Sequence, residues 1–386
     1  MSPNDLPSRA SAVVVGGGVI GLSTAYHLAR AGVPDVVLVE RDEFGSGSTC
    51  KAAGGVRAQF SDTVNIELGL RSLRTFETFE HTFGQDIDLH QVGYLFLLDT
   101  PGHVEAFEKS VALQNELGVP SRMLEVAEAK ALSPLISTEG LLAAAYSPTD
   151  GHCTPESVVA GYAAAARRAG ARLVRSCAVT AIGSSGDSVT EVVTEQGTIT
   201  TDTVICTAGA WSKELAAMVG VHLPVEPVRR QILTTAPVPG LDPKTPFTID
   251  FSTSFYFHRE GPGLLLGMSD PHETPGFKLE QSEGWLAGLA AAVDRRAPAI
   301  SDIGLGPGWA GLYEMTPDHN ALIGESRAVS RFLYATGFSG HGFLMGPAVG
   351  EVVRDLYLGR TPNVDVGSLT AERFADAGPR VELNIV

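Results

Sequence analysis

The sequence predicts an α/β fold that opens on a β-α-β nucleotide-binding unit and, at 386 residues, extends past one ordinary domain. Three observations carry this reading. A short apolar run, Ala12 to Val15, leads into glycines at 16, 18 and 21. A stretch striped by Leu22, Ala25, Leu28 and Ala29 follows and stops at Gly32 and Pro34, a helix-terminating pair. A second apolar run, Val36 to Val39, then ends in Glu40. The combination of strand, G-x-G-x-x-G, helix, strand and terminal acid is that of a Rossmann-type unit, and each part has a physical task.

Gly16 makes the tight turn out of the strand. Gly18 lets backbone approach a pyrophosphate, and Gly21 lets the helix pack closely on the sheet. Val19 and Ile20 open the helix, whose unpaired N–H groups and partial positive charge face the phosphates. Glu40, with Arg41 beside it, stands where a carboxylate accepts bonds from ribose hydroxyls. A purely structural glycine turn would explain the glycines but not the acid. Residues 44–60, FGSGSTCKAAGGVRAQF, come next. So many small residues and so few charges suit backbone lying against a large flat ligand better than a solvent loop.

Composition narrows the function further. A formal charge of -16 argues against nucleic-acid binding and against a polybasic membrane anchor. No apolar run approaches the ~18 residues a membrane-spanning helix needs. The polar N-terminal stretch carries no secretory signal pattern. Cysteines 50, 153, 177 and 206 show neither C-x-x-C pairing nor disulfide-like density, so a cytoplasmic protein without a metal site is expected.

Three later segments complete the pattern: TVICTAGAWS at 203–212, WAGLYEMTPDHNALIG at 309–324 and YATGFSGHGFLMGPAVG at 334–350. Together with 12–60 they resemble the D-amino-acid oxidase superfamily from residue 12 to about 358. The S-T-x-x-A-A-G-G-x-R-A-Q-F stretch resembles most the group of sarcosine oxidase β, L-proline dehydrogenase β and glycine oxidase. The resemblance implies non-covalent FAD and a Rossmann-type FAD-binding domain of residues 1–88, 146–224 and 312–386. It also implies a discontinuous α+β substrate domain on an antiparallel sheet, residues 89–145 and 225–311. The sequence is compatible with strands at 91–99, 141–146, 226–235, 246–251, 254–258 and 263–268. Helices are expected at 103–117, 156–169 and 281–294, and a hairpin over 188–200 turning at Gln196-Gly197. The tail after 360 receives no assignment.

The implied reaction removes a hydride from the carbon next to an amine nitrogen to flavin N5, giving an imine that hydrolyses. The substrate would be an amino acid, an N-methyl amino acid or a cyclic imino acid, and the acceptor O2 or another oxidant. Implied cofactor contacts come from Gly16, Gly18, Val19, Ile20, Gly21, Glu40 and Arg41, from Ser48, Thr49, Lys51, Ala52, Ala53 and Gly54, and from Val179, Ala208, Gly209 and Trp211. Gly337, Gly340, His341, Gly342, Phe343 and Leu344 complete the set, with a helix beginning near Gly346 whose N-terminus faces the anionic flavin locus. Arg57, in an otherwise uncharged loop, offers a bidentate fork to a substrate carboxylate, against the plainer reading of a surface salt bridge. Tyr256 and Tyr313 contact substrate or belong to the core. His258 and Arg259 are secondary candidates. His341 is a flavin donor, acts through a neighbour or is a core histidine.

Departures from the family sharpen the expectation. Gly311 stands where monomeric sarcosine oxidase has its FAD-linking cysteine, and Lys51 where the dimethylglycine group has a linking histidine. Leu344 and Leu265 replace lysines that bind carboxylate and activate oxygen in sarcosine oxidase, so fast reaction with O2 is not expected. The alternatives are the flavin subunit of a heteromeric complex passing electrons to a partner subunit, an NAD-dependent dehydrogenase, and a non-enzymatic binding module.

Overall fold

In the computed structural model, which describes residues 6–376, 378 and 381–384, the valine-rich runs Ala12–Val15 and Val36–Val39 pair in parallel. They belong to a six-stranded sheet. Its order is Leu322–Glu325, Phe332–Thr336, Val204–Cys206, Ala12–Val15, Val36–Val39 and Arg172–Val174. Only the Leu322–Glu325 edge runs antiparallel to its neighbour. Both faces are covered, which is why the strands read as unbroken apolar runs. Ala12, Val14, Val36 and Leu38 meet helices Val19–Arg30, Thr63–Glu77, Pro155–Arg168 and Gly342–Tyr357. Val13, Val15, Val37 and Val39 meet a three-stranded sheet of Val179–Ser185, Ser188–Thr194 and Gly197–Thr200. The expected hairpin is present within it, but turns one residue earlier, at Glu195 and Gln196.

Helices Val19–Arg30 and Gly342–Tyr357 lie unusually close. A Cβ on Gly346 would come 2.6 Å from Val19 Cγ2, and one on Gly350 2.1 Å from Ser23 Oγ. The order of these contacts makes the pair parallel, so both N-termini emerge at the same end of the sheet. The second helix begins at Gly342, a full turn before the start near Gly346 that the sequence suggests. Pro347 lies inside the helix, where its missing N–H leaves the Phe343 carbonyl without that bond.

A second, eight-stranded sheet lies beyond these N-termini. Its order is Leu305–Met315, Glu226–Thr235, Gly263–Met268, Phe255–Glu260, Phe247–Asp250, Tyr94–Leu98, Ala143–Ser147 and Arg122–Leu124. Every neighbouring pair is antiparallel except Phe247–Asp250 with Tyr94–Leu98. Alternation splits its residues between faces. Leu95, Leu97, Leu233, Phe255, Phe257 and Leu266 pack with Trp285 and Leu289 of helix Glu283–Arg296. The opposite face carries Tyr94, Arg230, Ile232, Phe247 and Tyr256 toward the first sheet.

The tail after residue 360 is not idle. Arg373 grips Asp318 through two bonds of 2.8 and 2.7 Å, and Glu382 accepts from Ser61 N at 3.0 Å. These long-range polar ties leave no periodic pattern in the sequence. The close helix crossing has a measurable consequence. Gly350→Leu is expected to force the helices apart and destabilise the protein by about 1–3 kcal/mol, seen as a lower urea midpoint. Gly102, with open space around it, serves as control: Gly102→Ala should leave the midpoint unchanged or slightly raised. Equal midpoints for Gly350→Leu and the wild type would refute the crossing.

Candidate active site

A cavity of about 600 Å3 runs between the two sheets, from Glu40 at one end to Tyr256 at the other. Its first end is built on the glycine turn. Gly16 has φ +114°, and a Cβ there would lie 2.3 Å from the Thr207 carbonyl oxygen. Thr207 Oγ1 in turn donates to Val15 O at 3.0 Å. Gly18 is the N-cap of the first helix, and a Cβ there would meet only Thr49 Oγ1, at 3.0 Å. Beyond that hydroxyl the space in front of Gly18 is open cavity, a cradle of backbone N–H groups suited to a pyrophosphate. Thr49 Oγ1 accepts from Val19 N at 3.2 Å. Glu40 accepts from Gly17 N at 2.6 Å with one oxygen and from Asp42 N at 2.9 Å with the other. Each oxygen keeps a lone pair for a hydroxyl. Arg41 lies 3.7 Å from the Trp211 ring centroid, forming a flat cationic ledge beside this end.

The charge-poor loop forms a long wall. Ser48 Oγ donates to Leu312 O at 2.6 Å, and Trp309 Nε1 donates to Lys51 O at 3.2 Å, tying the loop to strand Leu305–Met315. Lys51 Nζ turns back onto the carbonyls of Ser46 and Gly47. Ala52, Ala53 and Gly54 continue the wall, while Val179, Ala208, Gly209 and the stretch Gly340, His341, Gly342, Phe343 and Leu344 complete the enclosure. The structure thus brings Gly16, Gly18, Val19, Ile20, Glu40, Arg41, Ser48, Thr49 and Trp211 to the same cavity as Arg57, Tyr256 and Tyr313. Two predicted contacts lie behind the wall instead. Gly21 is packed where a Cβ would be 1.9 Å from Gly16 O, and Gly337 donates its N–H to Glu314 Oε2 at 3.1 Å. His258, Arg259 and Leu265 do not line the cavity either. His258 Nδ1 lies 2.8 Å from Arg259 O, and Leu265 pairs with Thr234 and His258 within the sheet.

The far end is aromatic and cationic. Tyr94 and Phe247 stack with centroids 4.2 Å apart, and Tyr256 covers Gly267, whose Cβ would lie 2.2 Å from the ring. Tyr313 packs against Gly340, where a Cβ would be 2.5 Å away. Arg57 is only 4% exposed and is a buried cation rather than a surface one. Its Nη1 donates to Gln59 O, its Nη2 to Asn384 O at 2.6 Å, and Phe60 lies 4.2 Å from it. Burial, then the neighbouring Arg57 charge, hold the His341 imidazole far below its ordinary pKa, so the ring is neutral. It meets Phe60 edge-on at 4.9 Å.

Several groups here escape the sequence analysis. Burial raises the carboxyl of Glu314, which lies 2.9 Å from Thr336 Oγ1 behind the Gly340–Gly342 turn. Arg230 lies 5.0 Å from the Tyr313 centroid. Asp150 is fully buried and accepts from Ala58 N at 3.2 Å. For Arg230 a signal existed, since a cation at an inward position of an alternating strand is costly unless it meets something. For Glu314 and Asp150 nothing local distinguishes them from surface acids.

Asp150 generates a pH test. Burial lifts its carboxyl to about 7, against the stabilising Ala58 N–H. Between the ordinary carboxylate pKa and about 7 the folded state holds a proton that the unfolded state has lost. Stability therefore falls as pH rises through that window. Asp150→Asn should flatten the trend, shrinking the pH 5 to pH 8 difference in unfolding free energy by on the order of 2 kcal/mol. Urea titrations at both pH values check this, and parallel pH profiles for the two proteins would sink it.

Comparison with known proteins agrees with this geometry. The family described as FAD dependent oxidoreductase, DAO, matches residues 11–356. Mouse mitochondrial dimethylglycine dehydrogenase is 31% identical over 97% of this chain and 45% of its own length. The 4-methylaminobutanoate oxidase (formaldehyde-forming) of Paenarthrobacter nicotinovorans is 30% identical over 97% of this chain and 47% of its own length. The chain thus spans about half the length of these curated relatives. Among solved structures, L-proline dehydrogenase from P. horikoshii superposes with a TM-score of 0.91 at 32% identity, covering 97% of this chain and 100% of that one. The family match runs through both sheets and every wall of the cavity, and the chain belongs to the DAO family of FAD dependent oxidoreductases.

Proposed function

We propose that the protein binds FAD non-covalently along this cavity and oxidises a carboxylate-bearing amine at the carbon next to nitrogen. One observation carries the reading: a single cavity joins a glycine cradle at a helix N-terminus to a tyrosine-lined end holding buried arginine. The chemical names of the relatives support it. Dimethylglycine, 4-methylaminobutanoate and L-proline are all alkylated amines with a carboxylate. The same reading divides the chain into an FAD-binding domain of 1–88, 146–224 and 312–386 and a substrate domain of 89–145 and 225–311. Strands Ala143–Ser147 and Leu305–Met315 pass from one to the other.

Bound FAD supplies the hydride acceptor. The chain does the rest. Gly16, Gly18, Val19 and Ile20 hold the pyrophosphate, and Glu40 the ribose hydroxyls, with Arg41 and Trp211 alongside. Ser48 to Gly54, Val179, Ala208, Gly209 and Gly340 to Leu344 line the flat part of the cavity. The N-terminus of helix Gly342–Tyr357 favours negative charge there. Arg57 receives the substrate carboxylate, and Tyr256 and Tyr313 exclude water from the reacting carbon. The arginine charges also disfavour a protonated amine, holding the nitrogen in the neutral form that hydride loss requires. No covalent link is needed. At Gly311 a Cβ would lie 2.9 Å from Lys51 Cβ, and Lys51 Nζ is already engaged by carbonyls. Turnover by the isolated chain with a dye acceptor would favour this reading over the flavin subunit of a larger complex.

Two variants test the ends of the cavity. Gly18→Leu, at a conformation any residue adopts (φ -76°), should fold but purify colourless, because its side chain fills the pyrophosphate space. Full FAD occupancy would refute the placement. Arg57→Ala should keep FAD and lower kcat/KM on a carboxylate substrate by about 2–5 kcal/mol, with Arg57→Lys recovering part. The loss should shrink on an analogue with a neutral group in place of the carboxylate; equal losses on both would show that Arg57 only shapes the loop.

A further inference from the structure

The antiparallel sheet presents a second guanidinium to the substrate end. In strand Glu226–Thr235, Arg229 turns outward to Glu273 at 2.6 Å, and Gln231 accepts from Ser282 N at 2.7 Å. Arg230 and Ile232, on the alternate face, line the cavity. Across the ladder Arg230 stands opposite Gly311, which offers no side chain, and Val228 stands opposite Tyr313. The guanidinium therefore leans diagonally over Tyr313, 5.0 Å from its centroid.

Arg230 is poorly compensated. Its Nη1 donates to Arg229 O at 3.0 Å, but its Nε is buried with no hydrogen-bond partner. No carboxylate among the described residues forms an ion pair with it. Arg57 differs, because two carbonyl oxygens hold it and the buried Asp150 and Glu382 act on its charge. Leaving a charged donor buried and unpaired is costly, so an acceptor within the cavity is the natural complement. In a chain of net charge -16, two guanidiniums facing one aromatic pocket form a local reversal of sign.

We propose that Arg230 receives a second acidic group of the substrate, so that the preferred substrate is an amine carrying two carboxylates, one for Arg57 and one for Arg230. This rests on the reading of the cavity as an amine-oxidising site with Arg57 as carboxylate anchor. Arg230 is then the specificity-determining residue: it attracts a diacid and repels a cationic side chain.

The FAD-loaded protein is assayed anaerobically with N-methyl-DL-aspartate and N-methyl-DL-glutamate against sarcosine and N-methyl-DL-alanine, reading flavin reduction. Binding of unreactive glutarate against butyrate is read separately from the shift of the flavin absorption spectrum. The diacids should be favoured by about tenfold or more, as expected for one added charge-assisted pair. In Arg230→Met the diacid-to-monoacid ratio should collapse toward one, and glutarate should lose its advantage over butyrate. Arg230→Lys should restore part of both. A wild-type preference for monoacids, or a ratio unchanged in Arg230→Met, overturns the proposal while leaving amine oxidation intact. If no amine of either class reduces the flavin, amine oxidation itself fails, and the glutarate-to-butyrate ratio still decides the role of Arg230. If Arg230→Met loses FAD, Arg230→Gln decides in its place: an undiminished glutarate advantage there overturns the proposal.

Discussion

The close parallel packing of two helices is the constraint from which the site follows. Gly346 against Val19 and Gly350 against Ser23 leave no room for side chains, so helices Val19–Arg30 and Gly342–Tyr357 run side by side with one polarity. Two helix N-termini then open on one cavity. Each carries unpaired N–H groups and a partial positive charge. One lies behind the glycine turn, where a pyrophosphate would be held. The other lies behind the Gly340–Gly342 turn, where negative charge on a reduced flavin would be held. A cofactor with an anionic pyrophosphate and a flavin that gains negative charge on reduction is matched by a fold that delivers two electropositive backbone termini to one cavity.

The second sheet answers a different need. It presents an aromatic wall to the cavity while keeping its own core. Alternation solves this: Phe255 and Phe257 face helix Glu283–Arg296, and Tyr256 between them faces the cavity. Glycines at two inward positions make room for neighbours. Gly267 accommodates the Tyr256 ring, and Gly311 packs on Lys51 of the loop. The loop itself is held to this sheet by Ser48 and Trp309, so the wall is shared between two stretches far apart in sequence.

What could be read from the sequence depended on range. The glycine turn, the first helix and Glu40 lie within thirty residues and obey one local geometry, so their arrangement was legible. The strands of the second sheet were legible from alternation, with Glu226–Thr235 and Gly263–Met268 found at the boundaries expected. Gly337 shows the limit: its place in a glycine-rich turn does not distinguish a glycine that faces a ligand from one that lets backbone pass behind it. The helix expected near Gly346 begins a turn earlier and carries Pro347 past its first turn, packed on the neighbouring helix. Asp150, Glu314 and the tail residue Asn384 make their contacts with Ala58, Thr336 and Arg57, all distant in sequence. No periodicity records such contacts.

The electrostatics of the two ends set the direction of the chemistry. Glu40, Asp42 and Glu43 line the nucleotide end, while Arg57 and Arg230 line the substrate end. In the proposed reading a substrate carboxylate is drawn to the arginines, and its amine, in the same cationic surroundings, is disfavoured as an ammonium ion. Burial lifts the carboxyl of Asp150 to about 7 and raises that of Glu314. His341 stays neutral for the same reason and adds no charge of its own. Two guanidiniums and a helix N-terminus thus line the same cavity. In the proposed reading they favour a neutral amine bearing negative groups over a free ammonium ion, and negative charge on the reduced cofactor.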